Sequence, residues 1–266
     1  MQSTKHISSA QNSLIKKVLL LKDKSRERKK TGLFILEGLR ELQIASNALY
    51  DIDTILYCED ILENTQILQS FNFDQLISVS AAVYRKLAYR NTTEGIIAIA
   101  KSKDHQLSSL AFDTTNPLIL IAEAPEKPGN IGALLRTADA ANLDAVLIAN
   151  PKTDLYNPNI IRSSVGCVFS RNVKMGTTTE IISYLKKEGI QVFCAALSAS
   201  KDYTTVSFKE PTAIVVGTEH SGLSNEWLQN STQNIIIPME GEIDSMNVSV
   251  SAAILIFEAK RQRKLN

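Results

Sequence analysis

The sequence predicts an α/β protein built as two units, and three observations carry that expectation. Short apolar runs alternate with amphipathic segments along most of the chain, the pattern of strands and helices packed in layers. In the second half the runs are apolar throughout, as in 117–122 and 145–149, which suits strands buried on both faces of a parallel sheet. Residues 101–116, KSKDHQLSSLAFDTTN, are polar and hold no long periodic segment. The boundary is placed there: a small α/β domain over 1–104, a linker over 105–116, and a parallel-sheet domain over 117–266.

Taken in order, residues 12–28 set Leu14, Ile15, Val18, Leu19 and Leu21 at helical spacing behind a capping region at Asn12, and Gly32 ends the segment. A strand at 33–36, a helix at 37–48, a strand at 52–57 and a helix at 61–69 follow. The first unit closes with a strand at 75–79, a helix at 81–88 and a strand at 95–100. In the second unit, strand 117–122 leads to a helix from Asn130, a strand at 145–149, a loop with Pro151 and Pro158, and a helix near 159–165. A short strand at 171–174 precedes an amphipathic helix at 179–188 that Gly189 closes. Strands at 190–196 and 212–217, a short helix at 225–229, a strand at 235–238 and a helix at 248–263 complete it.

Composition narrows the class. Hydrophobic residues make up 44% of the 266 and charged ones 21%, the balance of an ordinary globular protein. No apolar run approaches the roughly 20 residues of a membrane span, and the N-terminus lacks a secretory apolar stretch, so a cytoplasmic protein is expected. Cys58, Cys167 and Cys194 are odd in number with no C-x-x-C pair, and His6, His105 and His220 are scattered; neither set suggests a disulfide or a zinc site. Net charge is only +1. Its distribution is uneven: residues 1–40 hold ten Lys/Arg against three Asp/Glu, and 258–266 hold four against one. Basic ends suit phosphate contact, and equally suit solvated helix faces.

Three segments carry more glycine and polar side chains at strand ends than packing requires, and open α/β sheets bind ligands at those ends. In EKPGNIGALLRTADA, 126–140, Pro128-Gly129 makes a turn and Asn130 is placed to cap the next helix. Arg136 sits six residues on, about one and two-thirds turns away, so a shared site needs Asn130 to act from the loop. An arginine among Leu134, Leu135 and Ala138 suits an anion or a structural salt bridge. In IVVGTEHSGLS, 214–224, Gly217 follows the strand directly, where glycine allows positive φ or a close ligand. In IIIPMEGEIDSMNVSVSAAILIFE, 235–258, a polar loop leads through Ser245-Met246-Asn247 into a helix that opens with small residues.

Together NIGALLRTA, VVGTEHSGLS and IPMEGEIDSMNVSVSAAI resemble the three motifs of SpoU/TrmH-type RNA ribose methyltransferases of the SPOUT superfamily, in the same order. EGLRELQIA and TTEGIIAIA resemble the small ribosomal-protein-like RNA-binding domain that many members carry. Met246 stands where leucine is usual, a near-isosteric change. The resemblance implies a deep trefoil knot in the second domain and S-adenosylmethionine as methyl donor, held largely by main-chain groups. The matching cofactor positions are Gly217, Ile237 and Met246, with Leu197 as a further wall.

Carried over to the reaction are Asn130, Arg136, Glu219, Ser245 and Asn247. The family's arginine is treated as activating the hydroxyl, but a guanidinium with a pKa above about 12 is a poor base. Anchoring a phosphate and stabilising alkoxide charge suits Arg136 better. Glu219 is expected to orient Arg136 or Asn130, and Asn247 to bind substrate or shape the cofactor loop. The resemblance further implies a homodimer through the knot helices. Ile254, Ile256 and Phe257 would suit that interface, or equally a monomer core. Ribosomal RNA is the first choice of substrate, with transfer RNA open, as are base methylation and an inactive RNA-binding assembly factor.

Overall fold

The computed structural model describes residues 5–89, 94–197, 200–218 and 221–264. Contacts divide the chain into two compact units, Met1–Asp104 with Asp154–Ser170, and His105–Thr153 with Arg171–Asn266.

The first unit opens with β1 (Lys5–Ile7), too short to read from the sequence, and α1 (Ser13–Asp23), whose Asn12 side chain accepts the Leu14 N–H at 2.9 Å. Ile15, Val18 and Leu21 point α1 into the core. The helix expected over 12–28 breaks at Lys24, which is extended, and restarts as α2 (Ser25–Thr31); Gly32 ends it at φ +65°. Next come β2 (Leu33–Glu37), α3 (Leu39–Asn47), β3 (Ile52–Tyr57), β4 (Gln75–Val79), α4 (Ala81–Leu87) and β5 (Ile96–Lys101). The helix expected at 61–69 is a 3-10 turn, Thr65–Ser70. The sheet runs β1-β4-β3-β5-β2, with β5 antiparallel to both neighbours.

The second unit holds β6 (Leu118–Glu123), α5 (Pro128–Ala140) and β7 (Ala145–Ala149); α6 (Pro158–Ser163) and α7 (Cys167–Ser170) follow in the chain. It continues with β8 (Val173–Gly176), α8 (Thr178–Lys187), β9 (Gln191–Ala195), β10 (Lys201–Asp202), β11 (Thr212–Val216), α9 (Asn225–Asn230), β12 (Gln233–Ile236) and α10 (Val248–Lys264). Its seven strands run β10-β12-β9-β11-β6-β7-β8, parallel at every pairing. Both sheet faces are apolar, so β6, β7 and β11 are buried along their whole length. A capping box at Thr177 and Glu180 starts α8, which buries Ile181, Ile182 and Leu185 against that sheet at about 1.5–3 kcal/mol per side chain. The last helix, α10, packs along α5 and buries Ala252, Leu255, Ile256 and Ala259.

Contacts group two segments in ways the sequence alone does not specify. Residues 154–170, assigned by sequence to the parallel-sheet domain, pack with the first unit. The cause is aromatic and ionic: Tyr156 stacks on Phe34 at 4.3 Å, Phe169 meets Tyr50 edge-on at 5.1 Å, and Asp154 pairs with the buried Arg28. Residues 105–116 are no free tether. Met175 N–H donates to the His105 carbonyl at 2.7 Å, and Leu110 joins the core of the second unit.

Candidate functional site

At the carboxyl ends of β9, β11 and β12 the chain encloses a cavity of about 500 Å³. Leu197, Gly217, Ile237 and Met246, the four expected cofactor positions, all line it, and so does Ser245. Leu197 extends beyond β9 and is 60% exposed. Gly217 ends β11, and its glycine is required by the chain rather than by positive φ or a ligand. A Cβ there would lie 2.2 Å from the backbone carbonyl of Gly222. That approach belongs to a tight hairpin in which Thr218 N–H donates to the Gly222 carbonyl at 3.0 Å and Gly222 N–H returns the bond at 3.1 Å. Gly222 itself takes φ +66°, where glycine carries no steric cost.

A second cavity of about 350 Å³ shares Gly217, Thr218, Ser221 and Val248 with the first and is also lined by Asn130, Glu126 and Lys127. Asn130 does not act from a loop. Lys127 occupies the position before α5, Pro128 opens the helix, and Asn130 lies in its first turn. Asn247 Nδ2 donates to Asn130 Oδ1 at 3.3 Å, and Asn247 Oδ1 accepts from the Ser249 N–H and hydroxyl at 2.9 and 2.6 Å. Two motifs 117 residues apart in sequence therefore meet through one amide pair. Ser245 Oγ donates to Asp244 Oδ1 at 3.1 Å on the wall of the larger cavity.

Arg136 is not brought against these groups. It is exposed on α5, lines neither cavity, and has no hydrogen bond or ion pair among the described residues. Glu219 lies outside the described residues.

One group escaped the sequence reading. Glu123, the last residue of β6, is 6% exposed and accepts three hydrogen bonds. Ser224 gives it an N–H at 2.8 Å and a hydroxyl at 2.7 Å, and Thr178 gives a hydroxyl at 3.3 Å. The carboxylate thus ties the loop between β11 and α9 to the start of α8. A carboxylate ending the apolar run LILIAE was the available signal. Behind the cavity, burial pushes the Cys194 thiol up to about 12, with Glu123 adding to the shift, so it stays protonated and inert.

The larger cavity fits S-adenosylmethionine. Its volume lies within the few hundred to about 1,000 Å³ of cofactor pockets. Leu197, Leu228, Ile237, Met239 and Met246 offer an apolar wall for an adenine, the loop peptides offer donors and acceptors, and Asp244 offers a carboxylate for a cationic donor.

Comparison with known proteins agrees. Residues 117–257 match the SpoU rRNA Methylase family, and residues 12–98 match the MRM3-like substrate binding domain. A relative named 23S rRNA (guanosine(2553)-2'-O)-methyltransferase RlmP, from Bacillus subtilis (strain 168), is 30% identical over 96% of this chain and 99% of its own. A crystal structure of an RNA 2'-O ribose methyltransferase, 38% identical, superposes with a TM-score of 0.85 over 97% of this chain and 99% of the other. An AdoMet-bound rRNA methyltransferase from Sinorhizobium meliloti, 25% identical, gives 0.88 over 97% and 98%. With its three motifs gathered at the strand ends and its catalytic unit matched almost from end to end, this chain belongs to the SpoU family of RNA methyltransferases.

Proposed function

We propose that this protein transfers the methyl group of S-adenosylmethionine to a ribose 2′-hydroxyl of large-subunit ribosomal RNA. The observation that carries the reading is the pair of adjoining cavities with a shared wall at Gly217, Thr218, Ser221 and Val248. One suits the donor and the other, floored by Asn130, suits the acceptor nucleotide. The donor brings a methyl already activated by its sulfonium. The protein's task is then to align the hydroxyl and manage its charge. Asn247 and Asn130 hold each other, leaving amide groups to orient the ribose. Ser245 and Asp244 fix the loop that carries Met246. Arg136 has no hydrogen bond or ion pair among the described residues, and its guanidinium is suited to grip a phosphate and to stabilise the developing alkoxide. Glu219 completes the set as the group orienting Arg136 or Asn130.

Ribosomal RNA is favoured over transfer RNA because the likeness to the Bacillus subtilis enzyme extends through both units. The same reading includes a trefoil knot in the second unit, a cytoplasmic location and a homodimer. Val250 and Phe257, 47% and 50% exposed and seven residues apart on α10, form the apolar face for that pairing, whereas Ile256 belongs to the core.

The test is methylation of large-subunit ribosomal RNA by the purified protein, with the position fixed by nucleoside mass spectrometry. Arg136→Ala should lower kcat by about 10²–10³, the effect of removing one donor to a developing oxyanion, with donor affinity unchanged. Full methyl transfer by that variant, or a methyl on a base, would defeat the assignment.

A further inference from the structure

We propose that Lys22, Tyr89 and Arg162 form a clamp for an RNA backbone phosphate on the first unit. The inference rests on the reading that RNA is the substrate. It names a contact site apart from the two cavities, assembled from three places far apart in sequence.

The geometry is specific. Tyr89 follows α4 and is 37% exposed. Its amide donates to Glu37 Oε2 at 2.7 Å, and Lys22 Nζ donates to the neighbouring Ala88 carbonyl at 2.9 Å, so the backbone under the ring is pinned on both sides. Lys22 Nζ lies 5.6 Å from the ring centre and Arg162 Cζ 5.3 Å from it. The two charges therefore cannot be farther apart than about 11 Å, near the roughly 10 Å Debye length at 0.1 M salt. The ring attracts each cation, but it does not cancel their mutual repulsion.

Neither cation has an acidic partner among the described residues. Arg162 donates only to the Asn159 side chain at 3.3 Å, and Lys22 only to the Ala88 carbonyl. Other basic side chains of this protein do find carboxylates: Arg28 takes Asp154, Lys101 takes Asp51 and Arg261 takes Glu258. Glu37 is the one carboxylate at this spot among the described residues, and its Oε2 is taken by the Tyr89 amide rather than by either cation, so two positive charges share one ring beside a single negative one and an anion completes the site. Arg162 supplies a planar fork for two phosphate oxygens and Lys22 a point charge for a third. Exposed Arg26, Lys29 and Lys30 on α2 extend the positive field on the same unit. Arg162 reaches the ring only because residues 154–170 pack with the first unit.

The experiment is the salt dependence of binding of full-length protein to a single-stranded oligouridylate, compared among wild type, Lys22→Gln, Arg162→Gln and Arg162→Lys. Lys187→Gln, 82% exposed in the second unit, serves as the control for loss of one charge. Each phosphate contact to a single strand contributes about 0.7 to the slope of log K against log salt. Lys22→Gln and Arg162→Gln should each lower the slope by that amount, about a fivefold smaller loss of affinity per tenfold rise in salt. Arg162→Lys and Lys187→Gln should keep the wild-type slope. A slope unchanged in both glutamine variants, or lowered equally in Lys187→Gln, would overturn the clamp, and unaltered circular dichroism would separate either result from misfolding. If the slope behaves as expected but no RNA is methylated, the catalytic reading fails and the clamp stands; methylation with unchanged slopes sinks the clamp alone.

Discussion

Gly217→Ala is the sharpest probe of the donor cavity, because the substitution adds one methyl group at a position where φ is not in the left-handed region. The only penalty is contact. The new Cβ would start 2.2 Å from the Gly222 carbonyl and 2.6 Å from the Leu223 nitrogen, and backbone must retreat to beyond 3 Å before the strain is relieved. Such a retreat breaks the two hairpin hydrogen bonds between Thr218 and Gly222. At about 0.5–1.5 kcal/mol each, their loss amounts to roughly 1–3 kcal/mol. Because this hairpin also lines the cavity, the loss should appear as a donor affinity about 5- to 150-fold weaker. Isothermal titration with S-adenosylmethionine reads it directly. Gly222→Ala is the companion: its Cβ meets nothing within 4 Å, so only the φ of +66° opposes it, at about 1 kcal/mol. Wild-type affinity in Gly217→Ala, or a larger loss in Gly222→Ala, would refute the account of this loop.

Three further outcomes follow from the contacts. Glu123→Gln replaces a charged acceptor of three hydrogen bonds by a neutral amide whose NH2 must face the Ser224 and Thr178 hydroxyls and force them to turn into acceptors; unit stability should fall by about 1–3 kcal/mol, with KM for the donor raised more than kcat is lowered. Arg28→Ala and Asp154→Ala each leave a buried charge alone and should each cost about 3–5 kcal/mol by denaturant unfolding, the double variant costing less than their sum. Burial raises the Tyr50 and Tyr156 phenols above the ordinary tyrosine range, although each hydroxyl has a partner. The folded state therefore holds those protons more tightly than the unfolded chain, so stability is intact below about pH 10 and is lost as pH rises beyond it. Alkaline melting curves should show this loss, and Tyr156→Phe should shrink it.

Local pattern made the strands legible and left the helix breaks obscure. Runs such as LILIA and AVLIA are apolar at every position, and only a strand covered on both faces makes use of that. The break at Lys24 has no comparable signature, since lysine is a good helix former and neither glycine nor proline marks the spot. The 3-10 turn at Thr65–Ser70 has enough apolar residues to read as a short helix, and the difference between the two lies in hydrogen bonding that composition does not record. The placement of residues 154–170 was likewise beyond local pattern, because Tyr156 and Phe169 choose Phe34 and Tyr50, residues more than a hundred positions earlier.

The site divides along the same physical line. A pocket walled by peptide groups demands glycines and small or apolar residues at strand ends; it is the resemblance of the three motifs, read from consecutive residues, that implies Gly217, Ile237 and Met246, and these line one cavity. A grip on phosphate demands only charge at the right point in space, and a lysine or arginine in a sequence looks the same whether it meets an anion or water. Lys22, Tyr89 and Arg162 become a candidate set only once the fold supplies 5.6 and 5.3 Å. Arg136 is the mixed case. Its motif marks it as reactive, yet it stands exposed on α5 outside both cavities, so its service to the reaction depends on what RNA brings to it. Loss of Arg136 should therefore spare donor binding, whereas a Cβ added at Gly217 should weaken it, and that opposition separates a pocket built by the backbone from a charge that waits for its substrate.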